Sequence, residues 1–163
     1  MSTTETILLV DDEESDIYLI CYAFDKLGID HPVVVAKNGR QAIDELKAPL
    51  SLSVSEQSSR FSLVLLDLNM PGLSGFDVLT WRATQPALLN VPFVVLTSSG
   101  LDSDRKRALA LGASDFRIKP ATLDELVALA RDLYNRWWPG KESSAPPRPR
   151  PFFDPGAKLA SIL

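Results

Sequence analysis

Short apolar runs alternate with amphipathic stretches along the first 138 residues. Thr6–Val10 is a β-rich run. Ile17, Ile20, Cys21, Phe24 and Leu27 follow at i, i+3, i+4, i+7 and i+10, the spacing of one helix face. Gly28 then stands where a helix C′ residue belongs. Pro32–Ala36 is a second strand, and Gln41–Lys47 a short helix with Ala42, Ile43 and Leu46 inward. Ser62–Leu66 is a third strand. Ser74 and Asp77 have the spacing of a capping box and open a third helix. Val91–Leu96 is a fourth strand, with Pro92 at its beginning. Asp104–Leu111 is helical and stops at Gly112, and Asp115–Ile118 is a fifth strand. Thr122 and Glu125 form a second capping-box pattern. The helix they open runs to about Trp138, with Leu126, Ala130, Leu133 and Trp137 on one stripe.

Strands that alternate with helices imply βαβ units and a parallel sheet. The strands read as continuous Val/Leu/Ile runs, the pattern of strands covered on both faces. The predicted architecture is therefore a doubly wound three-layer α/β fold. Ligand chemistry in such folds gathers at the carboxyl ends of the strands. The serine-rich segment Pro49–Arg60 interrupts the alternation and is expected to be a long surface loop.

Composition narrows the classes. The chain has 163 residues, 45% hydrophobic and 23% charged, the make-up of a soluble globular protein. No apolar run approaches the ~20 residues of a membrane-spanning helix. No apolar h-region directly follows the start, so no secretory leader is expected. Cys21 is the only cysteine and His31 the only histidine, which excludes disulfide frameworks and His- or Cys-rich metal sites. A cytoplasmic location follows as the expectation. The net charge of −4 is uneven: residues 1–138 carry −6 and residues 139–163 carry +2. An acidic body disfavours nucleic-acid binding, which rests on neutralising phosphates. No Gly-x-x-x-x-Gly-Lys or Gly-x-Gly-x-x-Gly pattern marks a nucleotide site.

The predicted strand ends carry the chemistry. The first strand ends in Asp11-Asp12, the third in Asp67, the fourth in Thr97-Ser98 and the fifth in Lys119-Pro120. Taken alone, the acidic residues Asp11–Glu14 also fit a charge cluster at a helix N-terminus. Together, three carboxylates in one crevice repel each other, and a divalent cation would offset that. Mg²⁺ prefers such hard oxygen ligands. With Mg²⁺, the carboxylates, Lys119 and the Thr97 hydroxyl make a site for a phosphoryl group. A carboxylate can itself be the nucleophile toward phosphorus. Asp67 is the candidate, because it ends the central strand and precedes the turn Asn69-Met-Pro-Gly72.

These segments carry a resemblance. Ile7-Leu-Leu-Val-Asp-Asp-Glu13, Leu65-Leu-Asp-Leu-Asn-Met-Pro-Gly-Leu-Ser-Gly75, Val94-Val-Leu-Thr-Ser98 and Gly112-Ala-Ser-Asp-Phe-Arg-Ile-Lys-Pro120 resemble, in this order, the receiver domain of two-component response regulators. The likeness covers residues 5–138. It implies a flavodoxin-like five-stranded sheet of order 2-1-3-4-5. It implies that Asp67 accepts phosphate from a histidine of a sensor kinase. Mg²⁺ would be bound by Asp12, Asp67 and the Asn69 carbonyl, and by Asp11 through water. Thr97 and Lys119 would hold the phosphoryl oxygens, and Phe116 matches an aromatic switch residue. A cis peptide before Pro120 is a further family expectation. Phe116 stands where many receivers have Tyr, so a hydroxyl-mediated readout is lost. The long loop, the Thr97-Ser-Ser99 run and the want of an output domain look similar to single-domain regulators found beside bacterial phytochromes. Such a protein would catalyse its own phosphorylation without being an enzyme on external substrates. Two other readings stay open. A phosphohydrolase with an Asp nucleophile would want a second Asp where Asn69 stands. An adaptor could keep the fold without the chemistry.

Residues 139–163 form a separate proline-rich arm. They hold 6 of the 12 prolines, and Gly140–Pro151 favours an extended strap. Phe152, Phe153, Leu159, Ile162 and Leu163 then restore apolar groups. Fully extended, the arm reaches up to ~80 Å. With Trp137 and Trp138 at its root, it predicts a symmetric homodimer with exchanged arms.

Overall fold

A computed structural model of the chain describes residues 5–47 and 59–139. The expected loop lies mostly outside these residues, as do Phe152, Phe153, Leu159, Ile162, Leu163 and the rest of the arm beyond Pro139. The elements run β1 (Thr6–Val10), α1 (Glu14–Lys26), β2 (Val33–Ala36), α2 (Gly39–Lys47), β3 (Phe61–Leu66), α3 (Gly75–Arg82), β4 (Phe93–Thr97), α4 (Asp102–Ala110), β5 (Asp115–Ile118) and α5 (Leu123–Trp137). The five strands form one parallel sheet in the order β2-β1-β3-β4-β5, the flavodoxin-like order.

The element ends follow local chemistry. Both expected strands that contained a proline start just after it. Pro32 and Pro92 cannot donate to the ladder. Each contributes only its carbonyl, accepting from Ile7 N–H at 2.8 Å and from Val64 N–H at 3.0 Å. α2 begins two residues earlier than its apolar pattern suggests, because the Asn38 Oδ1 accepts from the Gln41 N–H at 2.8 Å and caps the first turn. α3 starts with the reciprocal Ser74–Asp77 capping box that its sequence predicts. Thr122 accepts from the Glu125 N–H at the start of α5. α1 and α4 end against Gly28 (φ 69°) and Gly112 (φ 100°), where a side chain would be strained.

The chain divides into two compact units. The first runs up to Glu13 and from His31 to Lys119, and holds the sheet with α2, α3 and α4. In it, Leu8, Val10, Val64, Leu66 and Val95 share a core with Ile43 and Leu46 of α2, Val78 and Leu79 of α3, and Ala108 of α4. The second comprises Glu14–Asp30 and, among the described residues, 120–139, with α1 packed on α5. The parallel register aligns Val10 with Ala36 and Leu66, and Thr97 with Ile118. The residues that follow these strand ends therefore emerge along one edge of the sheet. Among the described residues no helix is long and apolar enough to cross a membrane.

Candidate functional site

The last ladder bonds of the sheet place the candidate residues. Asp11 N–H donates to the Ala36 carbonyl at 3.0 Å, and Asp67 N–H to the Val10 carbonyl at 2.9 Å. Lys119 N–H donates to the Thr97 carbonyl at 2.7 Å. Asp11, Asp67, Thr97 and Lys119 are thus fixed by ladder bonds of their own backbone groups.

Those side chains converge. One carboxylate oxygen each from Asp11, Asp12 and Asp67 lie within 4.8 Å of one another. Asp11 and Asp67 are buried, and Asp12 is half-buried. The Lys119 Nζ lies 2.7 Å from Asp11 Oδ2 and 3.1 Å from Asp67 Oδ2. The remaining carboxylate oxygens are turned to backbone donors. Asp11 Oδ1 accepts from Glu13 N–H at 3.0 Å, and Asp67 Oδ1 from Leu68 N–H at 2.8 Å. Burial pushes the Asp11 carboxyl above its ordinary value, and the Lys119 ammonium and the Glu13 N–H only partly counter it. A cluster of hard oxygen donors around an incompletely compensated buried charge fits a divalent cation.

The other expected residues stand in different settings. Thr97 is fully buried at the end of β4, and its Oγ1 accepts from the Ser99 N–H at 3.3 Å. Asn69 is exposed on the loop two residues beyond Asp67. Phe116 is buried in the core of the first unit, with the Arg105 guanidinium 5.9 Å from its ring centroid. The described residues contain no cis peptide bond, so Lys119–Pro120 is trans, contrary to the family expectation. At the root of the arm, Trp138 is buried within its own chain, 5.5 Å from the Tyr134 ring. Trp137 is half-buried, and its indole N–H meets no acceptor among the described residues.

Two features escape the sequence pattern, one beside the site and one away from it. Ser99 Oγ donates to Asp104 Oδ2 at 2.5 Å and so ties the segment after Thr97 to the first turn of α4. Only the i, i+5 spacing of a hydroxyl and a first-turn acid hints at it. Arg82 is buried at the end of α3 with no carboxylate partner among the described residues. Its Nη1 donates to the Gly112 carbonyl, and its Nη2 donates to those of Leu89 and Val91.

Fold and site together define a class: a flavodoxin-like α/β protein whose sheet edge carries a buried acidic cluster bridged by a lysine. Residues 7–131 match the model of the response regulator receiver domain, and the chain belongs to that family of two-component signalling proteins. The chain is 31% identical to the probable methanogenesis regulatory protein FilR2 of Methanothrix harundinacea, over 86% of this chain and 88% of that one. It is 30% identical to response regulator Rcp1 of Synechocystis, over 82% and 88%. The phosphorylated cyanobacterial phytochrome response regulator RcpA superposes with a TM-score of 0.71 at 31% identity, covering 82% of this chain and 93% of that one. The Mn²⁺-bound form of Rcp1 superposes with a TM-score of 0.70 at 29% identity, covering 83% and 96%. Longer relatives match over about half their length: the chain covers 51% of a probable transcriptional regulatory protein of Picosynechococcus.

Proposed function

We propose that this protein is a single-domain response regulator in which Asp67 accepts a phosphoryl group from a histidine of a sensor kinase. The observation that carries this reading is the placement of Asp67. Its buried carboxylate lies beside two further carboxylates and a lysine at the edge of a parallel sheet. In the step, an Asp67 oxygen attacks phosphorus, the P–N bond of the phosphohistidine breaks, and the imidazole keeps the electron pair. Lys119 would hold a phosphoryl oxygen through its ammonium, and Thr97 another through its hydroxyl. Asp12, Asp67 and the Asn69 carbonyl would hold Mg²⁺, with Asp11 acting through water. That ion supplies charge neutralisation on the transferring group. Phe116, already inward, would act as the switch aromatic.

The similarity to a cyanobacterial phytochrome response regulator supports a bacterial phytochrome as the kinase. A cytoplasmic location goes with that partner. Residues 5–138 would be the receiver domain and 139–163 the arm. The arm, through Phe152, Phe153, Leu159, Ile162 and Leu163, would join two copies, with Trp137 and Trp138 at its root. Truncation after Trp138 is expected to give a folded monomer; an unchanged dimer by light scattering would exclude the arm.

Intact mass after incubation with Mg²⁺ and a small acyl phosphate tests the chemistry. One phosphate that is lost in base and absent in Asp67→Asn is the expected result. No adduct at saturating donor would favour a phosphorylation-independent adaptor. Sustained turnover of unrelated phosphate esters would favour an Asp-nucleophile hydrolase.

A further inference from the structure

α2 approaches the loop that follows Asp67 more closely than any side chain would allow. A Cβ built on Gly39, the first residue of α2, would lie 2.5 Å from the Leu73 carbonyl oxygen and 2.8 Å from Leu73 Cβ. Distances under 3.0 Å require something to move. Neither side is free to yield. The α2 start is held by Asn38, which accepts from Gln41 N–H at 2.8 Å, and by Gln41 Oε1, which accepts from Lys37 N–H at 2.8 Å. Just beyond Leu73, Ser74 is locked into its capping box, and Gly75 N–H donates to the Leu68 carbonyl at 3.0 Å. Gly75 has no slack either, since a Cβ there would meet the Asp67 carbonyl at 2.3 Å. A push on Leu73 therefore cannot pass into α3. The stretch left to take up the shift is the loop from Gly72 back to Asn69.

We propose that Gly39 is a positioning residue of the cation site: the bare Cα at the start of α2 lets the Leu73 backbone approach it, and that approach sets where the Asn69 backbone stands relative to Asp67. This rests on the reading of Asp12, Asp67 and Asn69 as the residues that hold a divalent ion. Gly39 touches no ligand and acts through the loop. The effect runs against local propensity, because a helix by itself prefers alanine to glycine.

The test is Mn²⁺ and Mg²⁺ binding to the full chain by calorimetry, for the wild type, Gly39→Ala and Gly100→Ala. Gly100 serves as the control because its added Cβ would meet only the tip of Ile118 at 3.8 Å. Gly39→Ala is expected to weaken both ions about tenfold, the usual size of a loss behind the ligands. Gly100→Ala is expected to bind as the wild type does. Equal binding by Gly39→Ala and the wild type would overturn the positioning role. A wild type that binds neither ion would instead overturn the reading of the site. Wild-type amide spectra cover the case in which Gly39→Ala fails to fold. Coupling is reciprocal, so the Gly39 and Leu73 amide signals should shift on Mg²⁺ titration with the midpoint of Asp67. Signals that stay fixed while Asp67 shifts would also overturn the role.

Discussion

Lys119 carries its ammonium nitrogen to 2.7 Å from the Asp11 carboxylate, with only 12% of the lysine side chain and 1% of the aspartate side chain exposed. The same nitrogen reaches Asp67 at 3.1 Å, so one cation offsets two buried anions. Removing it leaves both anions uncompensated, which is costly in a low-dielectric site. Lys119→Met is therefore expected to lose about 3 kcal/mol of stability at neutral pH without divalent ions. Millimolar Mg²⁺ should return part of that loss by supplying the missing charge. Urea unfolding with and without Mg²⁺ measures both. Equal losses in the two conditions would mean that the ion does not enter this cluster.

Asp11 should make stability depend on pH with an unusual sign. Burial raises its carboxyl above 3.8, so the folded state binds this proton more tightly than the unfolded chain does. Below 3.8 the group is neutral in both states and carries no penalty. As pH rises through the folded value, ionisation inside the protein costs stability, and the cost is complete above it. Asp11→Asn removes that cost. Because Lys119 keeps Asp67 as its partner, the variant is expected to be more stable than the wild type at pH 7 without metal. Its advantage should fade as pH falls toward 3.8. Denaturant midpoints across that range decide it, and an advantage independent of pH would rule out ionisation as the cause.

The convergence of Asp11, Asp12, Asp67 and Lys119 is legible in sequence because a parallel sheet sends all its strand ends to one edge. Locating where each apolar run stops then locates the side chains. The start of a strand is less legible. Pro32 and Pro92 sit inside apolar runs, yet both lie outside the strands, since a missing N–H matters only once a neighbouring strand is placed. α2 begins two residues early because Asn38 caps it, a side-chain bond that hydrophobic periodicity does not register. Arg82 is the clearest loss. A basic residue in the last turn of a helix reads as a solvated end that complements the helix dipole. Its burial depends on carbonyls seven, nine and thirty residues away, which no local pattern reveals.

Arg82 consequently carries a prediction of its own. Its guanidinium stacks 4.8 Å from the Phe93 ring centroid while bonding three carbonyls, and burial holds its pKa below the ordinary arginine value. Arg82→Met keeps the volume and removes the donors. A cost of about 3 kcal/mol is expected, set mainly by the carbonyls left without partners. Arg82→Lys should recover little, because one ammonium cannot reproduce a planar fork. Divalent-ion affinity should stay within about twofold in both variants, as for well-separated sites. A fall in affinity matching the fall in stability would instead make Arg82 part of the site's support.

Thr97 separates packing from chemistry. Its side chain is fully buried, and its Oγ1 accepts the Ser99 N–H, while Ser99 Oγ reaches Asp104 at the first turn of α4. Thr97→Val preserves the shape but strands the Ser99 donor, at a cost of about 1 kcal/mol. Thr97→Ser keeps the oxygen and loses a methyl group from a packed position, for a similar cost of about 1 kcal/mol. Stability alone therefore cannot tell the two variants apart. Phosphorylation can. If the hydroxyl holds a phosphoryl oxygen, Thr97→Val should slow formation of the Asp67 adduct by about tenfold or more, the scale of losing one such donor. Thr97→Ser should stay near the wild-type rate. Initial rates of adduct formation by intact mass give the comparison, and equal rates for the two variants would leave Thr97 with a packing role only.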